Sequence, residues 1–469
     1  MNPTKQRLIR LIALAGIVAI FTGVWSLAGY KPRLRLDNRA LAPLAFTPNG
    51  DVLAAGTLVQ DGLLSKPESP VRFLNSTNGA DAEPPLTTSV ATEVGKLRIG
   101  RAIIRAEFSP DGRLLAVLQQ HHDIKLLHEL ELVVFSRQSR ERIVNIPVPY
   151  HTNAADNSST MPRSFFSPDS KWLLWVDYPF PERLVHVWDL ASGKEAYTLP
   201  NVCYPVVSPD SAMIATTQFW RTRDKEPFAI QIWDIRSGAL RQTLPLHGTS
   251  EGWSPWPSFS PDSRLLAVNS RDDNGKQTAE VFETATWKRM FFQQGAWSPH
   301  LLSDAKTLVA VKNRDVQLWD TEKWKLKGKY EFKLGLHWDN GQEITPEPVA
   351  IPNKPMVIVA DYYPTVTVPL FRGLANTFGL NAFGSQHLTF IDGTSGRRQS
   401  VVLHHDSLVS GAIFAPDGSK AAFGSISGSL SLWDIPPRKS LTPLLRAIAV
   451  AVVGFALVYK LIRRRTVKE

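Results

Sequence analysis

The sequence predicts an all-β body of repeated antiparallel strands, with one hydrophobic helix at each end of the chain. Two observations carry the β assignment. A Ser-Pro-Asp turn recurs between apolar runs, and an alternating strand, often ending in Trp-Asp, follows it. A third observation carries the helices: uncharged apolar stretches lie at both chain ends, and each is bracketed by Lys and Arg.

The 469 residues carry a net charge of +10, from 53 Lys and Arg against 43 Asp and Glu. That charge is unevenly distributed. Residues 1–40 hold seven cations and one carboxylate, and residues 436–469 hold eight and one, which leaves the stretch 41–435 near −3. The basic character therefore belongs to the ends, and the body has no electrostatic footprint for nucleic acid. A hydrophobic content of 43% excludes a disordered chain, and a single cysteine, Cys203, excludes a disulfide framework.

The first apolar run, LIALAGIVAIFTGVWSLAG, spans residues 11–29. The second, AIAVAVVGFALVY, spans 447–459 and reaches about 19 residues when Leu444, Leu445, Leu461 and Ile462 are added and Arg446 and Lys460 snorkel. A buried core helix fits neither, since both lie at chain ends between cations. The first run reads either as an uncleaved anchor or as a signal peptide. Lys5, Arg7 and Arg10 precede it, and Ser26-Leu27-Ala28 offers a small-residue cleavage site. Arg463-Arg464-Arg465 and Lys468 place the C-terminal tail in the cytoplasm and the body on the extracytoplasmic side, although the four cations from Lys31 to Arg39 pull the other way.

Between the runs, the turn appears as FSPDGRLLAV at Phe108, FSPDSKWLLW at Phe166, VSPDSAMIAT at Val207 and FSPDSRLLAV at Phe259. Weaker copies begin at Phe46 and Phe414, and poorly marked ones at Leu301 and Ile351. Pro presets φ, Asp caps the turn with its own side chain and Gly accepts positive φ, so each copy is a hairpin. A third strand follows: LVHVWD from Leu184, IQIWD from Ile230, VQLWD from Val316 and LSLWD from Leu430, with degenerate equivalents at Val71, Leu132, Ala279 and Leu388.

The combination FSPDG, LAV, VWD and SG resembles the WD-repeat family over about residues 33–435. The resemblance implies a β-propeller of four-stranded antiparallel blades, eight of them, with seven as the alternative. It divides the chain into an N-terminal anchor or signal peptide (1–32), the propeller (33–435), and a C-terminal transmembrane helix with a basic tail (436–469). It also implies that the outer strand of the last blade comes from RLRLD, residues 33–37, paired with LSLWDI. Both ends then leave from one face, and the propeller sits on the membrane by that face. Trp188, Trp233, Trp319 and Trp433 become blade-packing residues, with His405, Ser425 and Trp433 as a partial structural network in the last repeat.

Loops between second and third strands emerge on the opposite, top face. They carry the candidate partner-binding aromatics Tyr178, Phe180, Phe219, Trp220, Tyr362, Tyr363, Phe371 and Phe378. Aromatic side chains dominate interaction hot spots, and a rigid scaffold concentrates function on its loops. Local packing within inserted loops is the competing account. His-His-Asp occurs at 121–123 and 404–406, but adjacent residues rarely chelate one ion together, so no metal is expected. No nucleophile elbow, phosphate loop or His-Glu-x-x-His motif occurs, and Cys203 begins an apolar strand, where burial is expected. The expectation is a membrane-anchored, non-catalytic protein-interaction scaffold without cofactor, binding a protein or peptide. An extracytoplasmic propeller enzyme or small-ligand binder using the central channel is the rival.

Overall fold

A computed structural model describes residues 30–36, 41–57, 70–86, 92–94, 97–99, 101–121, 130–148, 164–177, 183–218, 229–246, 256–272, 274, 276–313, 315–331, 336–337, 343–344, 348–362, 386–402, 409–425, 429–439, 445, 448 and 449. Short antiparallel strands dominate because apolar, β-branched and aromatic residues alternate with polar ones between turn signals. Blade 4 shows the pattern: Val202–Val207, Met213–Gln218, Ala229–Asp234 and Leu240–Pro245 form one antiparallel sheet in chain order. Seven such sheets span 41–86, 101–148, 164–200, 202–245, 256–294, 296–331 and 349–402. The eighth joins 409–434 to the N-terminal strand Leu34–Leu36. The architecture is an all-β, eight-bladed propeller, so the seven-bladed alternative falls.

The strand from RLRLD closes the ring as expected: Leu34 faces Leu432, Arg35 faces Ser431 and Leu36 faces Leu430. Eight apolar clusters fill the eight seams between neighbouring blades. The one that seals the circle sets Leu36, Ala422, Leu430 and Leu432 of blade 8 against Phe46, Leu53 and Leu74 of blade 1. A blade buries neither face by itself, so the core of this molecule is the set of its seams. The four named tryptophans pack into seams, Trp433 most deeply, at 4% exposure.

The Ser-Pro-Asp turns explain their own sequence. Ser167 Oγ donates to Asp169 Oδ1 at 2.6 Å and accepts the amide of Trp172 at 2.9 Å, while Asp169 Oδ1 accepts the amide of Lys171. The same three bonds recur around Ser109, Ser208 and Ser260, with Thr47 and Asn49 as the variant in blade 1. All four serines are fully buried.

The next turn position takes positive φ, and it is Gly50, Gly112 and Gly418 in blades 1, 2 and 8 but Ser170, Ser211 and Ser263 in blades 3, 4 and 5. Each serine there accepts a neighbour's backbone amide: Asp111 N donates to Ser170 Oγ (3.1 Å), Asp169 N to Ser211 Oγ (3.0 Å) and Asp210 N to Ser263 Oγ (3.0 Å). Where glycine stands the neighbouring turn comes close: a Cβ on Gly418 would meet Pro352 O at 2.0 Å, and one on Gly50 or Gly112 would be tight, at 3.0 and 3.1 Å. The turns thus link blade to blade on one face. Ser211→Ala should cost about 1–2 kcal/mol, because it keeps the left-handed strain and loses the bond. Ser211→Gly should be close to neutral. Urea unfolding midpoints read the difference, and equal effects would discard this account.

Both described chain ends leave from that same turn face. Beyond the closing strand, Tyr30–Lys31 pairs antiparallel with Arg438–Lys439, with Tyr30 opposite Lys439 and Lys31 opposite Arg438. Residues 1–29 and most of 447–459 lie outside the described residues. Within 444–462 the described Leu445, Ile448 and Ala449 are helical, with Leu445 and Ile448 exposed. No described helix is long and apolar enough to cross a membrane.

Candidate partner-binding face

The face opposite the turns is built by the stems of the loops between second and third strands. Gln120 faces Leu130 in blade 2, Asp177 faces Leu184 in blade 3, and Tyr362 faces Gln386 in blade 7. In blade 4, Thr217 faces Ile230. Blades 5 and 6 return quickly, Arg271 facing Gln277 and Lys312 facing Asp315. Loop length is therefore unequal around the ring, greatest in blade 7 and substantial in blades 1, 2 and 4. The stems bury polar groups that fix their ends. Gln119 Nε2 donates to Glu131 Oε2 at 2.7 Å in blade 2. In blade 5, Asp272 accepts the amides of Asn274 and Lys276, and the Gln294 amide group holds its carboxyl below the usual range.

Of the eight aromatic candidates, Tyr362 ends the strand Met356–Tyr362 at this face. Tyr178, Phe180, Phe219, Trp220, Tyr363, Phe371 and Phe378 lie outside the described residues, as do His122, Asp123 and the motif at 404–406. His121 ends the strand Leu114–His121, opposite Arg101. Cys203 is fully buried in the first strand of blade 4.

In the last repeat, Trp433 Nε1 donates to Ser431 Oγ at 3.1 Å, while His405 and the Ser425 side chain lie outside what the structure describes. The register explains it: Trp433 faces Ala421, so the hydroxyl that an indole would meet two residues on is replaced by Phe423. In blade 4, Trp233 faces Ile214 and the equivalent residue is Thr216, whose Oγ1 accepts the indole N–H at 2.9 Å.

The first strand of each blade lies at a sheet edge, and first strands touch between blades 8 and 1, 1 and 2, 4 and 5, and 5 and 6, where they wall the channel. Three of them carry Tyr204-Pro205, Trp256-Pro257 and Ser298-Pro299. Proline cannot donate to the ladder, and register shifts accompany Pro205 and Pro299, with Tyr204 and Ser298 at φ 51°. Tyr204 and Trp256 meet at 5.2 Å between ring centroids, and Trp256 remains 45% exposed. This pair escaped the sequence reading; prolines inside otherwise apolar strands were its available signal.

Among the described residues of the first strands, the acidic and imidazole groups lie apart. Glu107 in blade 2 has a buried Oε2 without a hydrogen-bond partner, whereas His300, beside Ser298 at 3.1 Å, lies four blades away across the ring. Burial pushes the Glu107 carboxyl up to about 7, against the pull of Arg105 and the amide of Phe166. No three metal-ligating side chains cluster among the described residues. Because the folded form holds this proton above its ordinary 4.5, stability falls as pH rises from that value towards about 7. Glu107→Gln is therefore expected to gain stability over the wild type between pH 5 and 8, read from paired urea titrations. A constant difference across that window would remove Glu107 as the cause.

One similar solved structure is described as the crystal structure of the eukaryotic initiation factor, with a TM-score of 0.53, 12% identity, and coverage of 87% of this chain and 89% of that one. Another, the structure of Dos1 propeller, has a TM-score of 0.54, 10% identity, and coverage of 88% and 96%. The likeness is one of fold. It supports a β-propeller over most of the chain. No family model matches the sequence, and no curated protein sequence matches it.

Proposed function

We propose that this chain is a membrane-anchored, non-catalytic interaction scaffold that binds a protein or peptide through its long-loop face. The observation that carries the proposal is the pairing of Tyr30–Lys31 with Arg438–Lys439, which takes both chain ends away from the loops. The apolar runs 11–29 and 447–459 begin a few residues beyond that pairing. Helices in both runs would seat the ring on a bilayer by its turn face and leave the loop face free. The separation of the described acidic and imidazole groups favours recognition over catalysis, since a reaction needs its acid, base and binding groups together.

The tail Arg463-Arg464-Arg465 favours a cytoplasmic C-terminus and an extracytoplasmic propeller. The opposing cations at 31–39 weigh less in this reading, because Arg33 belongs to the folded ring and pairs with Asp434 at 2.6 Å. The test is capture of partners from detergent-solubilised membranes by wild type and by a deletion of residues 363–385. Loss of a specific partner with an unchanged unfolding midpoint supports the loop face. An unchanged set of partners counts against it.

A further inference from the structure

The register of the exit ribbon opposes two cations. Lys31 faces Arg438, and Tyr30 faces Lys439 one position further out. Like charges set opposite each other weaken a strand pair. Asp434 answers part of this charge, pairing with Arg33 at 2.6 Å and with Arg438 at 3.0 Å; the ribbon and its stem carry four cations in sequence, Lys31, Arg33, Arg438 and Lys439, and Asp434 is the carboxylate paired with them among the described residues. Arg438 is well exposed. The ribbon is also the last described strand pairing before the apolar run that ends at Gly29, and the second run follows a few residues after Lys439.

We propose that the ribbon is a binding site for an anionic phospholipid headgroup, whose phosphate lies between the opposed cations and lets the ribbon close. The proposal rests on the anchored reading above and adds its lipid chemistry. A phosphate oxygen accepts hydrogen bonds from an ammonium and a guanidinium at once. Near a bilayer the attraction of each basic residue for anionic lipid is worth on the order of fivefold in binding.

The test places the full chain in lipid nanodiscs and follows amide hydrogen exchange at Tyr30, Lys31, Arg438 and Lys439, with Leu34 and Leu36 as an internal reference. Discs of phosphatidylcholine alone are compared with discs of phosphatidylcholine and phosphatidylglycerol in equal parts. Ribbon exchange should slow by about tenfold in the anionic discs, while the reference amides stay unchanged. About 1 M sodium chloride should abolish the difference by shortening the screening length to about 3 Å. The double variant Lys31→Gln with Arg438→Gln should lose the lipid dependence while keeping its reference amides protected. Equal exchange in the two discs overturns the proposal. The same slowing from inorganic phosphate over phosphatidylcholine discs would make the ligand a free anion and overturn the lipid assignment. A chain recovered outside the discs overturns the anchored reading itself, and this site with it.

Discussion

Leu36→Asp is expected to open the ring. Leu36 is 9% exposed in the seam with Phe46, Leu53 and Leu430, on the three-residue strand by which the N-terminal segment completes the sheet of blade 8. A carboxylate there meets no partner within the apolar cluster, and burying it costs several kcal/mol, of the order of 4–5 or more. Releasing the strand instead avoids that cost but leaves Leu430 and Leu432 uncovered. Either way the propeller loses its closure. The expected readings are a large fall in the urea midpoint and rapid trypsin cleavage at Arg33 and Arg35. Leu36→Ile keeps volume and should stay within about 1.5 kcal/mol. A midpoint for the aspartate variant equal to that of the isoleucine variant would show that closure does not depend on this strand.

Trp433→Ala is the second large effect, about 3–5 kcal/mol, because a nearly buried indole leaves a cavity in the seam of blades 7 and 8. Its neighbours there, Ile351, Ile358, Phe390 and Phe423, come from three different strands and a turn and cannot converge to fill it. The same substitution at Trp188 should cost less. That indole is only partly buried, and its Nε1 lies buried without a hydrogen-bond partner, so removing it also relieves an unpaired donor. Denaturation of both variants under one set of conditions decides the ranking. Equal losses would mean that depth in the seam is not what sets the cost.

Much of the fold was legible because its local chemistry repeats. Ser-Pro-Asp names a turn with three defined bonds, and even degenerate third strands, such as those at Val71 and Ala279, keep the alternation that a seam requires. The closing strand was legible through the resemblance, which implies that the N-terminal segment completes the last blade. What the sequence concealed depends on register between distant segments. Nothing local distinguishes Ser211 from a casual substitute for glycine; its reason lies in the amide of Asp169, 42 residues and one blade away. Nothing near Trp433 reveals that Phe423 stands where blade 4 has the hydroxyl of Thr216. The channel wall was hidden similarly, since Tyr204 and Trp256 meet across blades 4 and 5 rather than along the chain. The candidate partner-binding aromatics were read from composition and loop length, which fix where a loop starts and stops but not the surface it makes.

The adjacency of Tyr30 and Lys439 has a consequence for engineering. A ring whose first and last residues stand side by side is suited to circular permutation. A short linker could join those residues, and new ends could be opened within 363–385 on the far side. The blades and their seams would be untouched, yet any anchor attached to the new ends would hold the ring upside down. The turn face, with its linked serines and aspartates, would then point outward. Comparing the two orientations would separate what the propeller binds from the way its ends mount it.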